Sequence, residues 1–252
     1  MKSARNHLFA AAALALALAP ATGWATLFST SVSVGSGTGD CPCSATATLN
    51  VTAGQIVVTL TNTTSGFAGP GQGLSDFSFT LDSSPGSLTG SSASGQFGDI
   101  SGGKPDPSVV TYVSSDGGTS PPNATPVRWF GVGGGSFGIA GNVITLETIG
   151  GGQPSEMIAP FFVNGGTIPG GNKGLDNFNA WVIGPGTFTL SLSGVTANTI
   201  VTAATFSFGT SPDVFAGGTP PVIIEETPEP GSLALLGLGL AALGFLRRTR
   251  KQ

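Results

Sequence analysis

Apolar and polar residues alternate over short stretches of this chain. In Thr187-Phe188-Thr189-Leu190-Ser191-Leu192-Ser193 the apolar residues Phe188, Leu190 and Leu192 share one face and the hydroxyl residues take the other. A period of two is the signature of a strand with one buried face. The same spacing groups Phe77, Phe79 and Leu81 within 75–82, Ile56, Val58 and Leu60 within 55–61, and Phe206 with Phe208 within 204–209. Further strands are predicted at 45–51, 109–113, 126–132, 142–149, 157–163 and 179–183. Residues such as Gly194 and Ser211-Pro212 punctuate these runs. Long helical patterns are absent, so crossover helices for a parallel α/β sheet are lacking. The expected fold is all-β: a single antiparallel β-sandwich, jelly-roll-like, over residues 26–216.

The two ends depart from this pattern. Residues 1–25 begin with Lys2 and Arg5, continue through an apolar run from Leu8 to Ala19, and close on Gly23-Trp24-Ala25. That is the charged, apolar and small-residue order of a secretory signal peptide, with cleavage by signal peptidase expected after Ala25. The run is about a dozen residues, short of the roughly twenty that a spanning helix needs. At the other end, a linker is expected at 217–227, holding the domain off the membrane. Pro228-Glu229-Pro230 follows, then an apolar segment about 231–246, then Arg247-Arg248-Thr249-Arg250-Lys251. The unbroken apolar part, Leu233 to Leu246, would be about 21 Å long as a helix at 1.5 Å per residue, against a hydrocarbon core of about 30 Å. With Gly231 and Ser232 recruited, or in a thinned bilayer, it spans as a transmembrane helix. The basic cluster after it places that side in the cytoplasm, so the domain lies beyond the inner membrane.

Pro228, Glu229 and Pro230, the short Leu/Gly/Ala segment and the terminal cluster opened by Arg247 and Arg248 together resemble the PEP-CTERM protein-sorting signal, here over 228–252. The resemblance implies processing by an exosortase, an integral membrane transpeptidase-like enzyme of Gram-negative bacteria that often make exopolysaccharide and biofilm. It further implies only transient residence of the tail in the inner membrane, followed by release or anchoring at the cell surface or in the extracellular matrix. It says nothing of the domain.

Charge sharpens the picture. Between residues 26 and 227 three cations, Lys104, Arg128 and Lys173, face twelve acids, which leaves −9, whereas the whole chain carries −4. So acidic a surface disfavours nucleic acid and anionic lipid as partners.

Little in the domain suggests chemistry. The single histidine, His7, falls in the signal peptide, so the mature chain lacks the imidazole of a Ser-His-Asp or Cys-His arrangement. Cys41-Pro42-Cys43 can close a small ring, pair between chains or stay free; a local disulfide or an intermolecular staple is the favoured reading. These thiols with carboxylates alone are a poor zinc or copper set, and no metal or other cofactor is expected. Gly133-Gly134-Gly135-Ser136-Phe137-Gly138 matches the dinucleotide fingerprint formally, yet no helix follows, so it reads as a flexible hairpin loop. Glu147, Glu156 or several Asp residues would have to meet in space for glycoside cleavage. The turn acids Asp116 and Asp176 offer oxygens to calcium without a loop pattern for it, and ordinary turn chemistry explains them. Trp129 and Phe130, as strand neighbours, point to opposite faces, so that one of them, with Tyr112 and Trp181, offers a surface for stacking on a sugar. Core packing on both faces is the favoured alternative. The leading expectation is a non-enzymatic surface or matrix protein associated with exopolysaccharide, biofilm matrix or outer envelope. The alternative is a carbohydrate-binding module, with or without weak glycoside hydrolase activity.

Overall fold

The computed structural model describes residues 25–36, 40–101, 104–105, 110–115, 129, 136–149, 154–160, 173–178, 180–210 and 214–224. In chain order the strands are β1 (Thr26–Val34), β2 (Cys43–Thr52), β3 (Gln55–Asn62), β4 (Leu74–Leu81), β5 (Leu88–Gly98), β6 (Ile100–Ser101), β7 (Lys104–Pro105) and β8 (Val110–Ser115). They continue as β9 (Ser136–Ala140), β10 (Val143–Glu147), β11 (Ile158–Ala159), β12 (Trp181–Ile183), β13 (Gly186–Leu192), β14 (Val201–Phe208), β15 (Val214–Gly217) and β16 (Val222–Ile224). Helical structure among the described residues is confined to two 3₁₀ turns, Pro70–Gln72 and Lys173–Phe178. None is long and apolar enough to cross a membrane; the apolar segment 231–246 lies outside the described residues.

The all-β expectation holds. The strands form two sheets, the smaller being β6 paired with β7. Fourteen form one hydrogen-bonded sheet whose main path runs β15-β14-β4-β11-β12-β5-β13-β3-β2-β1-β16, with β10 and β9 attached beside β4 and β8 beside β5. Pairing is antiparallel except between β11 and β12, a parallel link two residue pairs long. β2 and β3 show the alternation most plainly, since every second residue from Cys43 to Val51 and from Ile56 to Asn62 is buried. Their hairpin turns on Ala53-Gly54, with Gly54 at φ +79°, the left-handed geometry a two-residue turn demands.

The inner faces of both ends of the path meet in one core. Phe77, Phe79, Leu81, Ile144, Leu146, Phe206 and Phe208 from one end share it with Leu49, Ile56, Val58, Leu60, Phe188 and Leu190 from the other. Phe77 and Phe206 lie 5.0 Å apart between ring centroids. A smaller cluster of Phe67, Ile100, Met157, Ala159, Leu175, Trp181 and Ile183 fills the corner around β11 and β12.

Several expectations are corrected. Residues 217–227 are not simply a linker: Gly217 closes β15, and Val222–Ile224 forms β16, paired with Leu27, Phe28 and Ser29 of β1. Within the supposed glycine loop at 133–138, Ser136 to Gly138 belong to β9. Trp129 lies in a turn rather than in a strand over 126–132, the rest of which is outside the described residues. Strands β1 and β5 were not anticipated. β1 has the buried Thr30 where an apolar residue would be expected, and β5 buries small residues such as Ser91 and Ala93.

Thr219 closes the curl. Its carbonyl accepts from Thr30 Oγ1 (2.7 Å), its hydroxyl accepts from Ser31 N (3.1 Å), and its N–H donates to Ser31 O (2.8 Å). Gly218 beside it has no room for a side chain, because an added Cβ would meet Thr30 Oγ1 and lie 2.9 Å from the Phe206 ring. Gly217, in contrast, faces open space. Gly218→Ala is expected to cost about 1–3 kcal/mol by overpacking, read as a fall in the urea midpoint, while Gly217→Ala stays within about 0.5 kcal/mol of wild type. Equal effects at the two positions would refute the crowded seam.

Candidate functional site

Because Phe77 and Phe79 face the core, the residues that alternate with them face outward. Asp76 and Ser78 of β4 therefore share the outer surface with Glu147 and Thr145 of β10 and with Ser207 and Thr205 of β14. The register sets them in two rows, Glu147-Asp76-Ser207 and Thr145-Ser78-Thr205. These six side chains line a cavity of about 240 Å³. At the ends of the second row stand Gly138 of β9 and Gly217 of β15, each facing open space, so no side chain walls it off there.

The carboxylate of Asp76 is 5 % exposed and the hydroxyl residue Ser207 is 1 % exposed. Ser75 Oγ lies 3.1 Å from Asp76 Oδ2 and 3.3 Å from Ser207 O, with one proton for either. Thr148 holds the strand from the other side, its N–H and Oγ1 both donating to Ser75 O at 2.9 and 3.1 Å. Three buried side-chain polar atoms among the described residues have no hydrogen-bond partner: Asn50 Oδ1, Asp76 Oδ1 and Ser207 Oγ. Two of the three belong to residues that line this cavity. Burial, and secondly the neighbouring Glu147, push Asp76 up from its ordinary 3.8 to about 7. Ser207, Ser75 and the Thr148 backbone oppose this rise without cancelling it. Burial also raises Glu147. Chemically, the arrangement can hold a shared proton, accept hydrogen bonds from a ligand, or ligate a hard cation.

Of the carboxylates singled out in the sequence, Glu147 reaches this site and Glu156 does not. Glu156 is buried, with φ +64°, and its carbonyl accepts the Trp129 indole N–H at 2.9 Å. Asp76 escaped the sequence reading, although a carboxylate between the alternating apolar residues of 75–82 was the available signal. Trp129 and Trp181 are both fully buried; Trp129 sits 5.0 Å from the Phe188 ring, and the Trp181 indole donates to Leu175 O at 3.0 Å. Neither ring is offered to a sugar. The side chain of Tyr112, and Phe130 and Asp116 entirely, lie outside the described residues, while Asp176 is exposed in the second 3₁₀ turn. No three His, Cys, Asp or Glu side chains come together as a metal centre among the described residues.

Cys41 and Cys43 are joined by a disulfide. The ring is tied into the fold through Pro42 O, which accepts from Gln72 Nε2 at 3.1 Å. Ala25 directly precedes β1. Pro228, Glu229, Pro230, Arg247 and Arg248 lie outside the described residues, which end at Ile224.

Comparison with known families decides the role of that end. The family described as the PEP-CTERM protein-sorting motif matches residues 226–251. The chain carries a PEP-CTERM sorting signal. That motif marks an exported protein handled by an exosortase, with a membrane-anchored sorting signal. It begins two residues after β16 ends. No curated protein and no solved structure matches the chain.

The acid pair has a consequence for stability. Unfolded, Asp76 releases its proton near 3.8; folded, near 7. Between these values the folded chain keeps a proton that the unfolded chain has lost, so stability falls as pH rises from about 4 to about 7 and then levels off. At about 1.4 kcal/mol per pH unit the loss is capped at roughly 4 kcal/mol. Asp76→Asn should flatten this part of the curve, apart from the share of Glu147, and leave the variant more stable than wild type at pH 8 in metal-free buffer. Urea melts across pH 3.5–8 check this; a variant curve parallel to wild type would show that other groups set the slope.

Proposed function

We propose that the chain is a non-enzymatic envelope or matrix protein, delivered by an exosortase and associated with extracellular polysaccharide through the outer faces of a jelly-roll-like β-sandwich. The observation that carries this reading is the position of the sorting motif, 226–251, directly behind the last strand of the domain. The domain is thereby cargo, presented beyond the inner membrane. After removal of residues 1–25 by signal peptidase, the mature chain has no imidazole for acyl or glycosyl transfer of the histidine-dependent kind.

The outward rows support the choice of partner. Thr145, Ser78 and Thr205 present hydroxyls, which donate and accept, and Glu147 presents an acceptor, a set complementary to the hydroxyls of a polysaccharide. Stacking on Trp129 or Trp181, which the carbohydrate-binding-module alternative invoked, is not part of this reading, since both rings belong to the core.

Deleting Pro228 to Pro230 is expected to leave the protein in the inner-membrane fraction with its tail uncut, as should loss of the host's exosortase. Fractionation and intact-mass measurement of the terminus read this directly. Normal maturation of the deletion variant would reduce the tail to an ordinary anchor. Cosedimentation of the released protein with the host's exopolysaccharide tests the second half, which fails if the protein stays in the supernatant.

A further inference from the structure

The cavity under β10, β4 and β14 poses a problem that its own residues do not solve. Asp76 and Glu147 stand directly opposite each other on neighbouring strands, the arrangement in which like charges destabilise a sheet. Asp76 is also desolvated, and buried charges are normally paired or bound to a metal. Asp76 and Ser207 both line the cavity, and their buried Oδ1 and Oγ have no hydrogen-bond partner. Once both acids are ionised, a ligand that resolves the pair brings positive charge and binds oxygen.

We propose that Asp76, Glu147 and Ser207 form a calcium site, in which Asp76 Oδ1 and the Glu147 carboxylate bind the ion and Ser207 Oγ completes the protein side. The set consists of oxygens only, which selects a hard cation over zinc or copper. Calcium takes six to eight oxygens in flexible geometry, and three side chains leave several positions to water. The cavity of about 240 Å³ leaves space for those waters, and the missing side chains at Gly138 and Gly217 keep an approach open. That volume falls below the roughly 300–1,000 Å³ of pockets that enclose an organic ligand. Magnesium demands a stricter octahedron at shorter distances and gives up water reluctantly, which suits this floor of fixed strands less well. Two carboxylates make a weak site, so the expected dissociation constant is on the order of 10⁻⁴–10⁻³ M, the range of extracellular calcium modules. The same burial and repulsion that hold a proton on Asp76 make that proton the competitor of the ion.

This inference is independent of the sorting signal but shares the cavity and Glu147 with the polysaccharide reading, so its test tells the two ligands apart. The test is calcium titration of the protein purified from a host that exports it, first stripped with chelator, following thermal midpoint and heat of binding. Wild type should show a saturable rise in midpoint with calcium and a response at least about tenfold weaker to magnesium. Asp76→Asn and Glu147→Gln should each weaken calcium binding at least about tenfold, the scale expected on loss of one carboxylate. Glu147 is only half-buried, so Glu147→Gln remains a decisive variant even if Asp76→Asn does not fold. No saturable effect up to about 10 mM calcium, ten times the weakest expected constant, overturns the proposal and leaves a shared proton as the resolution of the pair. Undiminished binding in Glu147→Gln, or equal affinity for magnesium, overturns it as well. So does a neutral oligosaccharide that raises the midpoint in chelator and loses that effect in Glu147→Gln.

Discussion

The register of β4 is the constraint on which the rest depends. β4 lies between β14 on one side and β10 and β11 on the other, and its inner residues Phe77, Phe79 and Leu81 are in the main core. A slip of one residue would turn those three outward and bury the polar residues instead. Each buried side chain of this size is worth about 1.5–3 kcal/mol, whereas an unfavourable cross-strand pair costs up to about 1 kcal/mol. Core burial wins by a wide margin. The sheet therefore accepts Asp76 opposite Glu147 as the consequence of placing three apolar residues correctly. The acid pair is held in place by packing on the opposite face, with no contribution from its own attraction.

This division explains what the sequence disclosed. Strands with large apolar residues at every second position, such as β3 and β13, were legible because burial of those residues both drives the fold and marks it. β1 was not, since its inner face mixes Phe28 and Val32 with Thr30, whose hydroxyl is satisfied by Thr219, 189 residues away in sequence. β5 was not either. There Gly95 faces Val182 at 3.2 Å from where a Cβ would stand, so the strand is chosen for smallness and carries no alternation. The site lay half in view: Glu147 could be named, but its partner could be found only from the pairing of β4 with β10. Pairing between strands distant in sequence is set by the whole core, which no local pattern encodes.

The unusual residues sort into structure and chemistry on the same grounds. Cys41-Pro42-Cys43, the oddest motif in the domain, is held by Gln72, whose Oε1 also accepts from Ala68 N at 2.6 Å. Asn62 ties the same corner to β11, donating to Gln72 O at 2.8 Å and to Ile158 O at 2.9 Å while accepting from Thr64 N at 3.0 Å. Each of these polar groups has the partners that burial demands. The indole N–H groups of Trp129 and Trp181 are likewise satisfied inside the fold. Asp76 Oδ1 and Ser207 Oγ break this rule, and it is the breach, more than the presence of acid, that distinguishes their cavity.

The last strand joins the domain to its sorting signal in a specific way. β16 pairs with β1, so that Leu27, the second residue of β1, stands opposite Ile224, where the described domain ends. Closing so long a loop is less costly than its length suggests, since each doubling adds only about 0.6 kcal/mol. The three hydrogen bonds of Thr219 reinforce the closure. All of these contacts lie before residue 225, and the matched motif begins at 226. The six residues 225–230 reach at most about 22 Å when fully extended. A tail anchored through the sorting signal would keep the β1–β16 edge, with Val222, Ile223 and Ile224 exposed along it, within that reach of the anchor. Cleavage behind that edge would free the domain without disturbing a single contact that closes it, which is the property required of cargo that must stay folded after its tail is removed.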